Sequence, residues 1–308
     1  MQLHRTHKDL PESARGCVLA LGNFDGLHLG HRAVLAEARK QAEALGAPLA
    51  VMSFEPHPRR LFNPELPPLR LFPVAEKLRL LKGAEVDHAF ILSFNREFSK
   101  LPAEDFIQTI LIDGLSIKHL VTGSDFQFGY KRGGNAEMLK IAPFGYSPIK
   151  PFLIEGEPCS STRIRQGLRD GSPDKVRGLL GRNYQMAGRV LHGDKRGREW
   201  DFPTANIAPP NLFSPAYGIY AVTMTRADGT QHPGVANYGI RPMYPLTRPL
   251  MEVHLFDVSP DLYGERVKVA LNHYLRPEEI FASVEELIEQ IKRDAQNARD
   301  YFKESKST

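Results

Sequence analysis

Cysteine is scarce in this chain, which holds two, Cys17 and Cys159, in 308 residues, with a single tryptophan. Two cysteines build neither a disulfide framework nor a cysteine-rich metal site. Cys17 sits in an apolar run and reads as a buried small hydrophobe. No apolar stretch approaches the roughly 20 residues of a membrane span. The first residues, Met1-Gln2-Leu3-His4-Arg5-Thr6-His7-Lys8-Asp9, have no apolar core of the signal-peptide type. A large excess of one charge is missing too: 40 Lys and Arg against 36 Asp and Glu leave a net +4. The basic residues are scattered, with local knots at Lys131-Arg132 and Lys195-Arg196-Gly197-Arg198. A nucleic-acid surface would more often cluster them. Internal repeats and low-complexity segments are absent. These absences lead us to expect a cytoplasmic protein that uses neither membrane nor nucleic acid and suits small anionic ligands. They say nothing of protein partners.

What is present is a globular composition, 42% hydrophobic and 25% charged, long enough for one large or two ordinary domains. In the first half, apolar runs alternate with helical patterns. The runs are Cys17-Val18-Leu19-Ala20-Leu21, Leu49-Ala50-Val51-Met52-Ser53-Phe54, His88-Ala89-Phe90-Ile91-Leu92 and His119-Leu120-Val121-Thr122. Helices are predicted over 32–45, 74–82 and 103–111. Continuous apolar strands in βαβα order predict a doubly wound parallel α/β sheet. After a charged, Gly-containing stretch the pattern changes to short strands over 189–191, 218–224, 234–238, 251–256 and 267–271. These predict an antiparallel sheet or small barrel. A C-terminal amphipathic helix follows, with Ser283 as N-cap and Glu286 completing a capping box. The boundary is expected near Arg182, giving domains 1–182 and 183–308.

The most informative stretch is Leu21-Gly22-Asn23-Phe24-Asp25-Gly26-Leu27-His28-Leu29-Gly30-His31. A strand, a glycine-bearing turn and a helix start together make a place for phosphate, because open N–H groups and the helix dipole favour an anion. His28 and His31, three residues apart, share one face of the first helical turn. Gly30 permits close backbone approach. This resembles the HxGH pattern of nucleotidyltransferases, whose chemistry needs positioning and donors aimed at charge growing on the α-phosphate.

Other motifs fall at strand ends and turns. Phe54-Glu55-Pro56-His57-Pro58 ends the second strand, and Pro56 and Pro58 fix the chain where a ligand would lie. Gly123-Ser124-Asp125-Phe126-Gln127-Phe128-Gly129-Tyr130 ends a later one with an acid and aromatics suited to ring stacking. In Ser160-Ser161-Thr162-Arg163-Ile164-Arg165, hydroxyls precede a helical run over 164–168, and an arginine can add bidentate phosphate contacts. A basic glycine loop with Gly193 and Lys195 leads to Phe202-Pro203-Thr204-Ala205-Asn206. Oxygen donors of Thr204 and Asn206 could hold Mg²⁺ against a nucleotide. Glu252 alternates with apolar neighbours on a strand and could accept a proton from a substrate hydroxyl.

Taken together, these motifs resemble, in family order and across both halves, the bacterial bifunctional riboflavin kinase/FAD synthetases. The resemblance implies an N-terminal FMN adenylyltransferase, a Rossmann-like α/β nucleotidyltransferase domain, and a C-terminal riboflavin kinase, a small antiparallel β-barrel with a C-terminal helix. ATP would be used twice with Mg²⁺, converting riboflavin to FMN and FMN to FAD. His28, His31 and Glu252 would be catalytic. Gly22, Phe24, Asp25, Gly30, Ser161, Thr162, Arg165, Gly193 and Lys195 would bind ATP or phosphate. Asp125, Phe128, Pro56 and Pro58 would face the flavin, and Thr204 and Asn206 the metal. Arg299 and Tyr301 are candidates for flavin contact from the last helix.

Asp201, where the family usually has glycine, and Met243, where it usually has threonine, depart from the pattern. Both departures bear on the kinase half. One rival reading is an adenylyltransferase of another phosphate acceptor with a non-kinase barrel. Another is an RNA-binding barrel protein, against which the lack of clustered basic and aromatic residues on one strand argues.

Overall fold

The structure is a computed structural model that describes residues 1–192, 202–240, 249–258 and 260–305. The chain splits into two compact units, Met1–Ser161 and Thr162–Thr308.

The first unit is built on a sheet of six strands: β1 (Gln2–His4), β2 (Val18–Leu21), β3 (Leu49–Glu55), β4 (His88–Ser93), β5 (His119–Gly123) and β6 (Gly145–Ile149). Their order is β1-β4-β3-β2-β5-β6 and every pairing is parallel. Successive residues of β2 serve opposite cores. Leu19 and Leu21 join Met52, Phe90 and Leu120 on one face, while Val18 and Ala20 join Val51 and Val121 on the other. That is why the strand reads as an unbroken apolar run. Helix α1 (Leu29–Leu45) covers the second face with Val34, Leu35, Ala38 and Ala42, the i, i+1, i+4, i+8 stripe of an amphipathic helix. Cys17 is fully buried in the first core, and burial pushes its thiol up to about 12.

The chain winds from β2 outward through β3 to β4 and then returns to β5 on the other side of β2. The order of strands reverses between β2 and β5, so the crevice beyond their carboxyl ends is where such sheets take ligands. Helices α2 (Pro58–Phe62) and α3 (Val74–Gly83) follow β3. The helix expected over 103–111 is different in kind. After a short α4 (Ala103–Asp105) the backbone widens into a π-helix over Phe106–Gly114. The wider turn brings the adjacent Ile110 and Leu111, together with Phe106, into the core. Helix α5 (Ala136–Lys140), capped by Asn135, precedes β6, and a two-stranded hairpin of β7 (Leu153–Ile154) and β8 (Glu157–Pro158) ends the unit.

Helix α6 (Ser161–Arg169) spans the division between the units, and α7 (Pro173–Leu180) leads to the second. Here β9 (Tyr184–Leu191), β10 (Ala205–Ala208), β11 (Gly218–Thr225), β12 (Gln231–Gly239), β13 (Leu250–Leu255) and β14 (Arg266–Arg276) close a barrel in the order β10-β13-β12-β11-β14-β9. Every pairing is antiparallel. On β13 the buried Met251, Val253 and Leu255 alternate with half-buried Glu252 and His254. Helix α8 (Val284–Glu304) lays Ala295 and Ala298 on Ala221, Val235 and Phe256 of the barrel wall. Its Ser283 cap accepts from the Glu286 N–H, whereas the Glu286 carboxylate takes the Ala282 N–H and not that of Ser283. Among the described residues, no helix is long and apolar enough to cross a membrane.

One ion pair fastens α8. Arg276 donates from Nε to Asp294 Oδ1 at 2.9 Å and from Nη2 to Oδ2 at 2.6 Å, and Asp294 is 3% exposed. Gln290 adds a third donor at 2.9 Å. Removing one partner strands the other's charge in a dry place, which costs more than the pair was worth. Asp294→Ala is therefore expected to destabilise the barrel unit by about 3 kcal/mol, the lower end for a buried pair because Arg276 keeps some solvent contact. Urea denaturation followed by far-UV circular dichroism measures it.

Candidate active sites

The turn after β2 is tied down on all sides. Phe24 and Leu27 adopt left-handed backbone with φ of 48° and 41°, and Gly26 sits at 89°. Such conformations at non-glycine residues persist only where surrounding structure holds them. The holding contacts are specific. The Asp25 carboxylate accepts the Leu71 N–H at 3.0 Å, and its carbonyl accepts the Ser161 hydroxyl at 2.8 Å. The Asn23 carbonyl accepts the Ser53 hydroxyl at 2.9 Å, and Asn23 Nδ2 lies 3.4 Å from His57 Nε2. Phe24 is buried and its ring lies 5.1 Å from that of His31.

The helix begins at Leu29, three residues earlier than the periodicity predicts, because His28 is its N-cap. His28 Nδ1 accepts the His31 backbone N–H at 3.3 Å, and the Cys159 thiol lies 3.6 Å from the same nitrogen. A neutral His28 with an accepting Nδ1 carries its proton on Nε2. The two imidazoles stack at 3.6 Å. Burial, His28 and Lys77 hold His31 well below the ordinary histidine value, so it is neutral at pH 7. Its Nδ1 is shielded from solvent and meets no hydrogen-bond partner among the described residues. A Cβ at Gly30 would stand 3.0 Å from the Cys159 carbonyl and 3.1 Å from the His28 ring. The glycine therefore admits the chain at Cys159 and the His28 imidazole.

The other predicted residues of this unit divide. Pro56 and Pro58 flank His57, which caps α2 by accepting the Arg59 N–H at 3.2 Å. Their turn meets the phosphate-type turn through the Asn23–His57 contact. Asp125 is exposed just past the end of β5. Phe128 is 7% exposed and packs on Phe106 and Phe126, with ring centroids 5.6 and 5.7 Å apart; it belongs to the core as much as to a pocket. The hydroxyls of Ser161 and Thr162 lie inside α6, not ahead of it, and Arg163 and Arg165 are half-buried on the same helix.

In the barrel, Asn206 stands within β10 and pairs directly with Glu252 of β13, which pairs in turn with Asn237 of β12. Directly opposed residues project to one face, so the amide, carboxylate and second amide form one row. Sequence reasoning found the first two members and missed β10 and Asn237, whose Oδ1 is buried without a partner among the described residues. Thr204 precedes β10, and the preceding Pro203 carbonyl lies 3.0 Å from His254 Nδ1. A cleft of about 300 Å³ is lined by Pro203, Thr204, Val253, Asp261 and Tyr263. Gly193, Lys195, Asp201 and Met243 lie outside the described residues. Arg299 and Tyr301 have protein partners: Arg299 is paired with Asp257 at 2.9 Å, and the Tyr301 ring stacks on His273.

A buried residue also escaped the sequence reading. Lys77 of α3 is 7% exposed and donates to Ser53 Oγ at 3.1 Å and Glu55 Oε1 at 3.0 Å. Its signal was positional, since Lys77 shares the buried face of α3 with Leu81, one turn on.

Residues 10–163 match the family described as FAD synthetase, and residues 180–302 match the family described as riboflavin kinase. A bifunctional riboflavin kinase/FMN adenylyltransferase of Escherichia coli strain K12 is 41% identical over 98% of this chain and 98% of its own length. One from Haemophilus influenzae is 40% identical over 98% of this chain and 99% of its own. A crystal structure from Streptococcus pneumoniae, described as a macrolide-efflux protein, shares the fold at a TM-score of 0.88 with 32% identity, covering 97% of this chain and 98% of that one. The chain belongs to the family of bifunctional riboflavin kinases/FMN adenylyltransferases.

Proposed function

We propose that the two ATP-using activities of this family, riboflavin kinase and FMN adenylyltransferase, are divided between the two halves of the chain, with the exchange near Arg182. The observation that carries this division is that His28 and His31 stack at the carboxyl end of β2 in the first unit, while Asn206 and Glu252 pair across the barrel of the second. In the first half, an FMN phosphate oxygen attacks the α-phosphorus of ATP as the bond to pyrophosphate breaks, giving FAD. The N–H groups at the start of α1 and the His28 Nε2–H face the growing charge. Neutral His31 adds a donor without the desolvation cost of a buried cation. Ser161, whose hydroxyl donates to the Asp25 carbonyl, extends the phosphate side of the site. Pro56, Pro58, Asp125 and Phe128 stand on the flavin side.

In the barrel, Glu252 takes the proton from the riboflavin 5′-hydroxyl, whose oxygen attacks the γ-phosphorus of ATP and releases ADP. Thr204 and Asn206 supply hard oxygen donors that fit Mg²⁺, an ion that keeps its remaining sites for water and phosphate. When bound, it would offset phosphate charge. ATP consumption in both steps fits a cytoplasmic location. The rival adenylyltransferase with a non-kinase barrel does not fit a chain whose residues 180–302 match riboflavin kinase.

Single substitutions separate the halves. His31→Ala is expected to cut FMN-to-FAD conversion by about a hundredfold or more, while riboflavin phosphorylation continues. Asn206→Ala is expected to do the reverse. Chromatographic separation of flavins after incubation with ATP and Mg²⁺ reads both, and a folded variant that lost both steps would refute the division. Because His31 is held well below the usual histidine value, its protonation limits FAD formation only well below pH 6.5. A rate profile from pH 5 to 8 checks this.

A further inference from the structure

Lys77 is a buried charge that the adenylyl-transfer mechanism above leaves unused. An ammonium with 7% exposure is tolerated only when paired and hydrogen-bonded. Its partners lead in two directions. One is the Ser53 hydroxyl at 3.1 Å. Ser53 is fully buried and its hydroxyl donates a hydrogen bond to the Asn23 carbonyl at 2.9 Å, inside the turn that carries His28. The other is Glu55 Oε1 at 3.0 Å, immediately before Pro56-His57-Pro58. Arg70 balances the far oxygen of Glu55 at 2.8 Å. One nitrogen thus joins the phosphate-side turn to the flavin-side turn.

We propose that Lys77 is a positioning residue for adenylyl transfer, fixing the 22–26 turn through Ser53 and the 55–58 turn through Glu55 so that both halves of the site keep one geometry. The proposal rests on the assignment of this unit's HxGH site to FMN adenylylation. The charged and titratable groups placed around Lys77 and His31 are Glu55 of β3, Arg70 ahead of α3 and His28 at the start of α1. Lys77 helps hold His31 below its ordinary value, together with burial and His28. Removing the ammonium therefore raises His31 toward that value.

The test uses full-length Lys77→Met, Lys77→Arg, Ser53→Ala and His31→Ala proteins, with FMN adenylylation followed against pH and against each substrate. Riboflavin phosphorylation by the same preparation reports that the barrel unit is folded, and far-UV circular dichroism with thermal unfolding reports that the first unit is. Lys77→Met is expected to lose about tenfold to a hundredfold in kcat/KM for FAD formation, the usual consequence of a misplaced site, with the acid limb moved to higher pH and phosphorylation retained. Lys77→Arg keeps the charge and should restore the acid limb and part of the rate. Ser53→Ala deletes only the arm toward Asn23, so KM for ATP should rise while KM for FMN holds. Should Lys77→Met not fold, Ser53→Ala decides, and an unchanged KM for ATP overturns the proposal. It is also overturned if Lys77→Met keeps its rate and profile while His31→Ala is inactive, or if a loss leaves the acid limb in place and arginine rescues nothing. Persistence of adenylylation in His31→Ala would instead remove the site assignment beneath it.

Discussion

The backbone between Gly22 and His31 is the constraint on which the first unit depends. It must leave a strand buried on both faces, pass Phe24, Gly26 and Leu27 at positive φ, and enter α1 with His28 as its cap. No local propensity favours that path, since two of the three residues carry side chains that disfavour it. Long-range contacts hold it instead. Ser53 from β3, Leu71 from the segment before α3, and Ser161 from the start of α6 each bond to the turn. The result is a helix N-terminus with two stacked imidazoles, at the point where strand order reverses. An anion placed there meets aligned donors without reorganisation.

The barrel solves a different problem. Its closed ladder places Asn206, Glu252 and Asn237 side by side on three adjacent strands. A carboxylate in such a row is held by backbone register, which resists displacement better than a loop does. Helix α8 seals the wall nearby through alanines, whose small side chains let it lie close, and through the Arg276–Asp294 pair. Arg299 and Tyr301 of that helix engage Asp257 and His273, so their first role is to fasten the helix.

Much of this was readable in the residues. The strands β2 to β5 appear as apolar runs because both sheet faces are covered, and the barrel strands by alternation. The HxGH turn was legible because strand, glycine turn and helix follow one another locally. What was not legible depends on partners distant in sequence. β1 is three residues long and exists only through its pairing with β4. β10 is similarly short and its neighbours are β9 and β13. The π-helix over Phe106–Gly114 obeys core packing over the helical period predicted for it. Lys77 looks like any solvated helix lysine until Ser53 and Glu55 are brought to it. Phe128 drew notice as a stacking ring, and its burial follows from Phe106, a residue on another element.

The central claim is that two complete and separate active sites reside in one chain, with FMN as the compound that passes between them. Mixing tests it most directly. His31→Ala and Asn206→Ala proteins are each supplied with riboflavin, ATP and Mg²⁺, alone and then together, and FAD is followed by chromatography. Separate sites predict little FAD from either protein alone and its prompt appearance in the mixture, because FMN made by one is used by the other. A mixture of folded proteins that makes no FAD would contradict the account, since a reaction would then need both residues together and neither variant retains both.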